Sequence, residues 1–225
     1  MPELPYLSLV VWTPILGGVW VLLASGARNA PAVRKIALIV SLLTFLMSLP
    51  LWGQFDISTH QMQFEEKSIW IASFGIYYHL GVDGISVLLV LLTTVSTPLV
   101  LLSTWRAVSD RVKGFQIALL LMESAMLGVF LSLDLVLFYL FWEAMLVPMY
   151  LLIGVWGGTN RIYAAIKFFL YTLAGSVLML LGILALYFFN QQGLFGWEGL
   201  GGEATFSVLR FHEIGAQIPA DLQFW

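Results

Sequence analysis

Residues 135–154 read LVLFYLFWEAMLVPMYLLIG, and Glu143 is the one charged side chain among them. A helix of about 20 apolar residues is the length that crosses the hydrocarbon core of a bilayer. Lipid offers no partner for an unpaired backbone N–H or C=O, so a segment of this kind must close its hydrogen bonds within a helix. Outward from this stretch, five more segments share its character: 6–25, 36–52, 84–105, 115–132 and 164–189. The expected fold is all-α, a polytopic integral membrane protein of about six transmembrane helices forming a single membrane domain over residues 1–225.

Composition supports this reading. Hydrophobic residues make up 60% of the chain and charged residues 10%, against about 25% charged in a soluble domain. So few charges cannot cover a water-facing surface. The basic residues are too scattered to grip nucleic acid. Cysteine is absent, which excludes disulfides and thiolate-held iron–sulfur clusters within the chain. His60, His79 and His212 all fall between spans, whereas a membrane haem needs axial histidines inside them. No redox cofactor is expected here. The first span follows Met-Pro-Glu-Leu-Pro, which lacks the basic start of a signal peptide.

Orientation follows from lysine and arginine. One set of alternate connections carries Arg28, Arg34 and Lys35, then Arg106, Arg111 and Lys113, then Arg161, with Lys167 just inside the sixth span. The other set holds Lys67 and Arg210 among Asp56, Glu65, Glu66, Glu198, Glu203, Glu213 and Asp221. The positive-inside rule puts the first set in the cytoplasm and the N-terminus outside. Two outer segments are long, 53–80 and 190–222. The second includes an apolar-patterned piece, 206–214, expected to form a short surface helix. The connection Ser132-Leu133-Asp134 is so short that the fourth and fifth spans must form an antiparallel hairpin.

Charges inside spans are costly, and each is a functional candidate. Glu143 lies near the middle of the fifth span. A carboxyl group without water around it gives up its proton reluctantly, which suits a group that holds a proton and hands it on. Pro148 has no N–H, so the carbonyl of Ala144 loses its helix partner and leaves an acceptor beside Glu143. The plainer alternative is a packing glutamate hydrogen-bonded to a neighbouring helix. Glu123, in the fourth span, lies as far from the turn at 132–134 as Glu143 does, so the two carboxyls are expected at similar depth, either facing each other or with Glu123 turned to another neighbour. Lys167 is a candidate cationic partner or proton-entry gate, with snorkelling to the interface as the alternative. Asp83 and Asp134 precede spans and read as helix caps. Thr93, Thr94, Ser96 and Thr97 surround Pro98, which reads as a kink whose freed carbonyl the hydroxyls help to satisfy.

The run FWEAMLVPMYLLIGVWGG at 141–158, followed by Arg161 and AIKFFLYT at 165–172, resembles the subunit M family of NADH–quinone oxidoreductases. GVDGIS at 81–86 and GVFLSLD at 128–134 are similar to the same family and stand in the same order, so the resemblance runs from about residue 75 to 189. The Pro-Met-Tyr after the glutamate looks like subunit M rather than its paralogues L and N.

The resemblance implies a proton-translocating subunit of a bacterial inner-membrane complex, built from two inverted helix repeats. Its partners would be the other membrane-arm subunits, with NAD, FMN, iron–sulfur clusters and quinone held elsewhere. It also implies that the glutamate matching Glu143 pairs with a lysine in the next helix, a lysine expected beyond this chain; on the reading of the charged residues, Glu143 carries the proton and Glu123 and Lys167 tune it. On that pattern the chain ends, at Trp225, where a seventh span is expected, and the second repeat is absent. A subunit of a multi-component sodium/proton antiporter shares much of the motif. A non-transporting membrane scaffold would make Glu143 a packing residue.

The charge bias yields a test of topology. Cysteines introduced at Asp110 and Gln192 are expected to label from opposite sides of the membrane, with position 192 reached from outside. Labelling of position 110 from outside in intact cells would reverse the assignment.

Overall fold

The computed structural model describes residues 5–24, 30–194, 197–198, 203 and 205–215. The loop with Arg28, the end of the first expected span at Ser25 and the last residues of the outer segment, including Asp221, lie outside the described residues. Six long helices are present: α1 (Tyr6–Ala24), α2 (Ala30–Gly53), α3 (Gly84–Ser103), α4 (Val112–Leu131), α5 (Leu135–Trp156) and α6 (Arg161–Gln192). Each is long and apolar enough to cross a membrane. They match the expected spans with shifted ends. The largest shift is in α2, which starts at Ala30 rather than at residue 36. Arg34 and Lys35 therefore sit within the helix, and Arg34 donates to the Val108 carbonyl at 2.7 Å.

Between α2 and α3 the chain forms an antiparallel hairpin of β1 (Gln63–Ile71) and β2 (Ile76–Val82). These strands lie in the outer segment 53–80, for which the sequence predicts no strand. A 3-10 turn, Ala72–Phe74, joins the strands and closes on Gly75, whose φ of 65° is a left-handed conformation that costs glycine little. A second short pair, β3 (Gly193–Leu194) with β4 (Trp197–Glu198), follows α6. The short helix expected in 206–214 is α7 (Val208–Ile214).

The fourth helix is the hub of the bundle. It packs on α1, α2, α3 and α5, while α6 leans on α5. Burial follows: 61% of the α4 span is buried but only 11% of the α6 span, so α6 presents most of its surface outward. Two apolar cores flank the hub. One gathers Leu7, Val11, Leu80, Leu127, Leu131 and Phe141 near the β hairpin. The other gathers Val21, Val40, Leu101, Phe115 and Leu120 toward the opposite end.

Polar groups tie the bundle where lipid cannot. Ser48 on α2 and Thr94 on α3 share a hydrogen bond of 2.8 Å, and Ser124 on α4 donates to the Val11 carbonyl of α1. Lys113 donates to the Leu22 carbonyl at 2.8 Å, a cation placed against the carbonyl end of α1. Adjacent glutamates on β1 point to opposite faces, as the period of a strand requires. Glu66 accepts from Leu7 N–H, Ser8 N–H and the Ser8 hydroxyl, and so caps α1. Glu65 turns the other way, to His79.

Gly128 sets the approach of α4 to α5. A Cβ there would overlap the ring of Phe141. Overpacking of this kind typically costs about 1–3 kcal/mol. Gly128→Val should therefore lower the thermal stability of the purified, detergent-solubilised protein, and Phe141→Leu in the same chain should restore part of it. Equal melting of the single variant and the parent would show that the close approach does not limit packing.

Candidate functional site

Glu143 sits half-buried on α5, with Tyr139 one turn before it on the same helical face. The Tyr139 hydroxyl lies against the Glu143 carboxyl on one side and against Ser176 of α6 on the other. Ser176 is buried and keeps its own hydrogen bond to the Leu173 carbonyl at 3.0 Å. Oε1 of Glu143 is buried without a hydrogen-bond partner. Since a desolvated polar atom without a partner is costly, this oxygen is where a proton, a water molecule or a facing donor gains most. Pro148 lies within α5 one turn beyond Ala144, so the freed carbonyl stands on the same stretch of helix.

The expectation that Glu123 faces Glu143 gives way to a different arrangement. Phe141 is the residue of α5 that meets α4 at Gly128. Glu143 follows Phe141 by two residues, a turn of about 200° about the helix axis, which points it away from α4. On α4, Glu123 is five residues from Gly128, about 140° round from the contact. Its neighbour is Thr97 of α3. The Thr97 hydroxyl, however, is engaged with the Thr93 carbonyl at 3.1 Å, and neither carboxyl oxygen of Glu123 has a partner of hydrogen-bonding geometry. Glu123 is fully buried. The bundle thus holds, among the described residues, an unpartnered carboxyl on the α3 side of α4 and a carboxyl with one unpartnered oxygen between α5 and α6.

Lys167 lies on the exposed face of α6 with its ammonium 5.8 Å from the centre of the Tyr163 ring. It is nine residues from Ser176, half a turn round the helix, and so is not brought to Glu143 within this chain. Both expected caps are present. Asp83 and Ser86 form a reciprocal capping box on α3, at 2.7 and 2.8 Å. Asp134 accepts from Val136 N–H at 2.9 Å and Leu137 N–H at 3.2 Å at the start of α5.

Sequence reasoning missed Tyr139 and Ser176. The first carried a readable signal, a tyrosine four residues before an intramembrane glutamate; the second depends on how α6 rotates and carried none. It also missed a polar cluster where the β hairpin meets the turn between α4 and α5. There His79, buried, is 2.9 Å from Glu65, while Asp134, buried, accepts from Tyr77 N–H at 3.1 Å. Among the described residues, no group of three or more His, Asp or Glu side chains is arranged to hold a metal ion.

Residues 132–205 match the family described as NADH:quinone oxidoreductase/Mrp antiporter, membrane part. Subunit M of the NADH-quinone oxidoreductase of Rhodobacter capsulatus is 50% identical over 184 residues, which are 80% of this chain and 35% of that protein. Subunit M of Rickettsia prowazekii is 42% identical over 190 residues, 83% of this chain and 38% of that protein. Among solved structures, a chain of respiratory complex I from Thermus thermophilus with bound NADH superposes with a TM-score of 0.70 at 29% identity, covering 84% of this chain and 37% of that one. The chain spans a little over a third of the length of the curated relatives it matches. In sequence the chain is similar to subunit M of NADH-quinone oxidoreductases, and in fold to a chain of respiratory complex I.

Proposed function

We propose that this chain is part of a proton-translocating membrane-arm subunit of an NADH–quinone oxidoreductase, with Glu143 as the group that carries the proton. The observation that supports this most is the buried, unpartnered oxygen of Glu143, in a helix opened by Pro148 and beside the hydroxyls of Tyr139 and Ser176. A group set to exchange a proton needs a carboxyl away from bulk water and hydroxyl neighbours that can relay. A group that only packs needs a fixed partner. The complex would sit in the bacterial inner membrane with the β hairpin and the N-terminus outside, as the lysine and arginine bias requires.

In this reading the energy comes from quinone reduction in other subunits, which also hold the NAD, FMN, iron–sulfur and quinone sites. Glu123, also buried and unpartnered, is a second proton-holding group reached from the α3 side rather than a direct partner of Glu143. Lys167 acts from the open face of α6, toward whatever packs there. Other membrane-arm subunits and lipid are the partners. The sodium/proton antiporter reading places the same residues in the same roles, and the dependence of transport on quinone-linked NADH oxidation separates the two.

Glu143→Gln in the full-length subunit should abolish or strongly reduce proton transport while the complex still assembles, because glutamine keeps the shape and hydrogen bonding but exchanges no proton. Glu143→Asp should keep part of the activity. NADH oxidation and proton uptake recorded together in membrane vesicles decide the matter. Normal pumping by the glutamine variant would remove Glu143 from the mechanism and leave it a packing residue.

A further inference from the structure

The cluster at the hairpin end has no role in the site described so far, yet it holds the features of a proton-exchange station. His79 is 2% exposed, and its Nε2 lies 2.9 Å from Oε2 of Glu65. The Glu65 side chain is 42% exposed, so the pair runs from the protein interior to the aqueous edge. On the inner side stands Asp134, 1% exposed and close enough to His79 for electrostatic attraction. Asp134 begins α5, the helix that carries Glu143 nine residues further on, about 13.5 Å deeper in the membrane.

Other charges around the imidazole are accounted for. Lys67, cross-strand from His79 on β1, holds its ammonium 4.5 Å from the centre of the Tyr77 ring, and Glu66 is turned to the far face, where it caps α1. A helix cap and a strand latch would need only Asp134 and the backbone bond from Leu133 N–H to the His79 carbonyl. They do not call for a buried imidazole bonded to a half-exposed carboxylate. Burial also pushes the Asp134 carboxyl above the usual aspartate range, against the pull of three backbone N–H groups and of His79.

We propose that His79, set between Asp134 and Glu65, passes protons between the hairpin end of the helix bundle and the water outside it. The proposal rests on the reading of Glu143 as a proton carrier. The imidazole takes one proton from the inner side at one ring nitrogen and releases one through the other to the Glu65 carboxylate, which gives it to water. The ring returns to neutral and one proton has crossed, with no other bond changed. Tyr139, on the same helix between Asp134 and Glu143, supplies the deeper hydroxyl on that path.

The test uses the full-length subunit in the assembled complex, reconstituted in proteoliposomes, with NADH oxidation and proton transport read together. His79→Gln keeps a hydrogen bond to Glu65 but cannot relay, and should slow coupled proton transport by about a hundredfold, the low end for a positioned acid–base group. His79→Ala should be slowed similarly and partly restored by imidazole added on the hairpin side, which a latch would not show. If the His79 variants fail to assemble, Glu65→Gln at the exposed position carries the test, with a loss of transport expected there too. Wild-type transport in His79→Gln, or, where that variant does not assemble, in Glu65→Gln, overturns the proposal. Glu143→Gln is run alongside. If it pumps normally, the parent reading fails. If it stops pumping while His79→Gln and Glu65→Gln behave as wild type, only the role of His79 falls.

Discussion

The turn between α4 and α5 is the point on which the rest of the bundle depends. Asp134 holds two N–H groups of the first turn of α5 on one oxygen and the Tyr77 N–H of β2 on the other. The backbone on either side is equally committed. Leu133 N–H donates to His79, Leu135 N–H to Phe206, and Val208 N–H to Leu133. The β hairpin, the turn and the start of α7 are therefore stitched through three consecutive residues. A helix end in or near lipid leaves N–H groups that must find partners, and here a single carboxylate serves both the helix and the strand. The position of α5, and so of Glu143, follows from that anchoring together with the close contact of Gly128 with Phe141.

That contact also decides which way the carboxyls look. With Phe141 turned to α4, Glu143 has to face α6, where Tyr139 and Ser176 meet it. Glu123 has to look toward α3 and Thr97. Two carboxyls on adjacent helices thus occupy separate environments. A change in how α5 sits on α4 would alter both sites together, because both azimuths are set by one glycine and one ring.

The helices were legible because lipid imposes one solution on long apolar runs. Their ends were less so. Arg34 and Lys35 marked a loop in the reading, yet a helix can carry both when an arginine finds a carbonyl such as that of Val108. The β hairpin escaped notice because irregular register between Gln63 and Glu66, and again between Ile69 and Ile71, breaks the two-residue alternation that would have revealed it. The caps at Asp83 and Asp134 were readable from residue type and position alone. The rotation of α5 about its axis was not, since it depends on which side chain finds the gap left by Gly128. The sequence leaves the facing of Glu123 open between Glu143 and another neighbour, and the packing turns it toward α3.

The length of α6 has a consequence for how the site meets its surroundings. At 32 residues it measures about 48 Å, well beyond the roughly 30 Å of a hydrocarbon core. A helix that exceeds the bilayer tilts or overhangs. The last turns carry the stacked Tyr187–Phe206 pair and the Asn190 amide bonded to the Glu203 carbonyl, which fasten that end to the hairpin side of the molecule. With one end fastened, a thinner or thicker membrane acts on α6 as on a lever, and Ser176 lies partway along it. Hydrophobic mismatch then reaches the hydroxyl pair beside Glu143, so that the thickness of the lipid becomes one of the variables that set the geometry around that carboxyl.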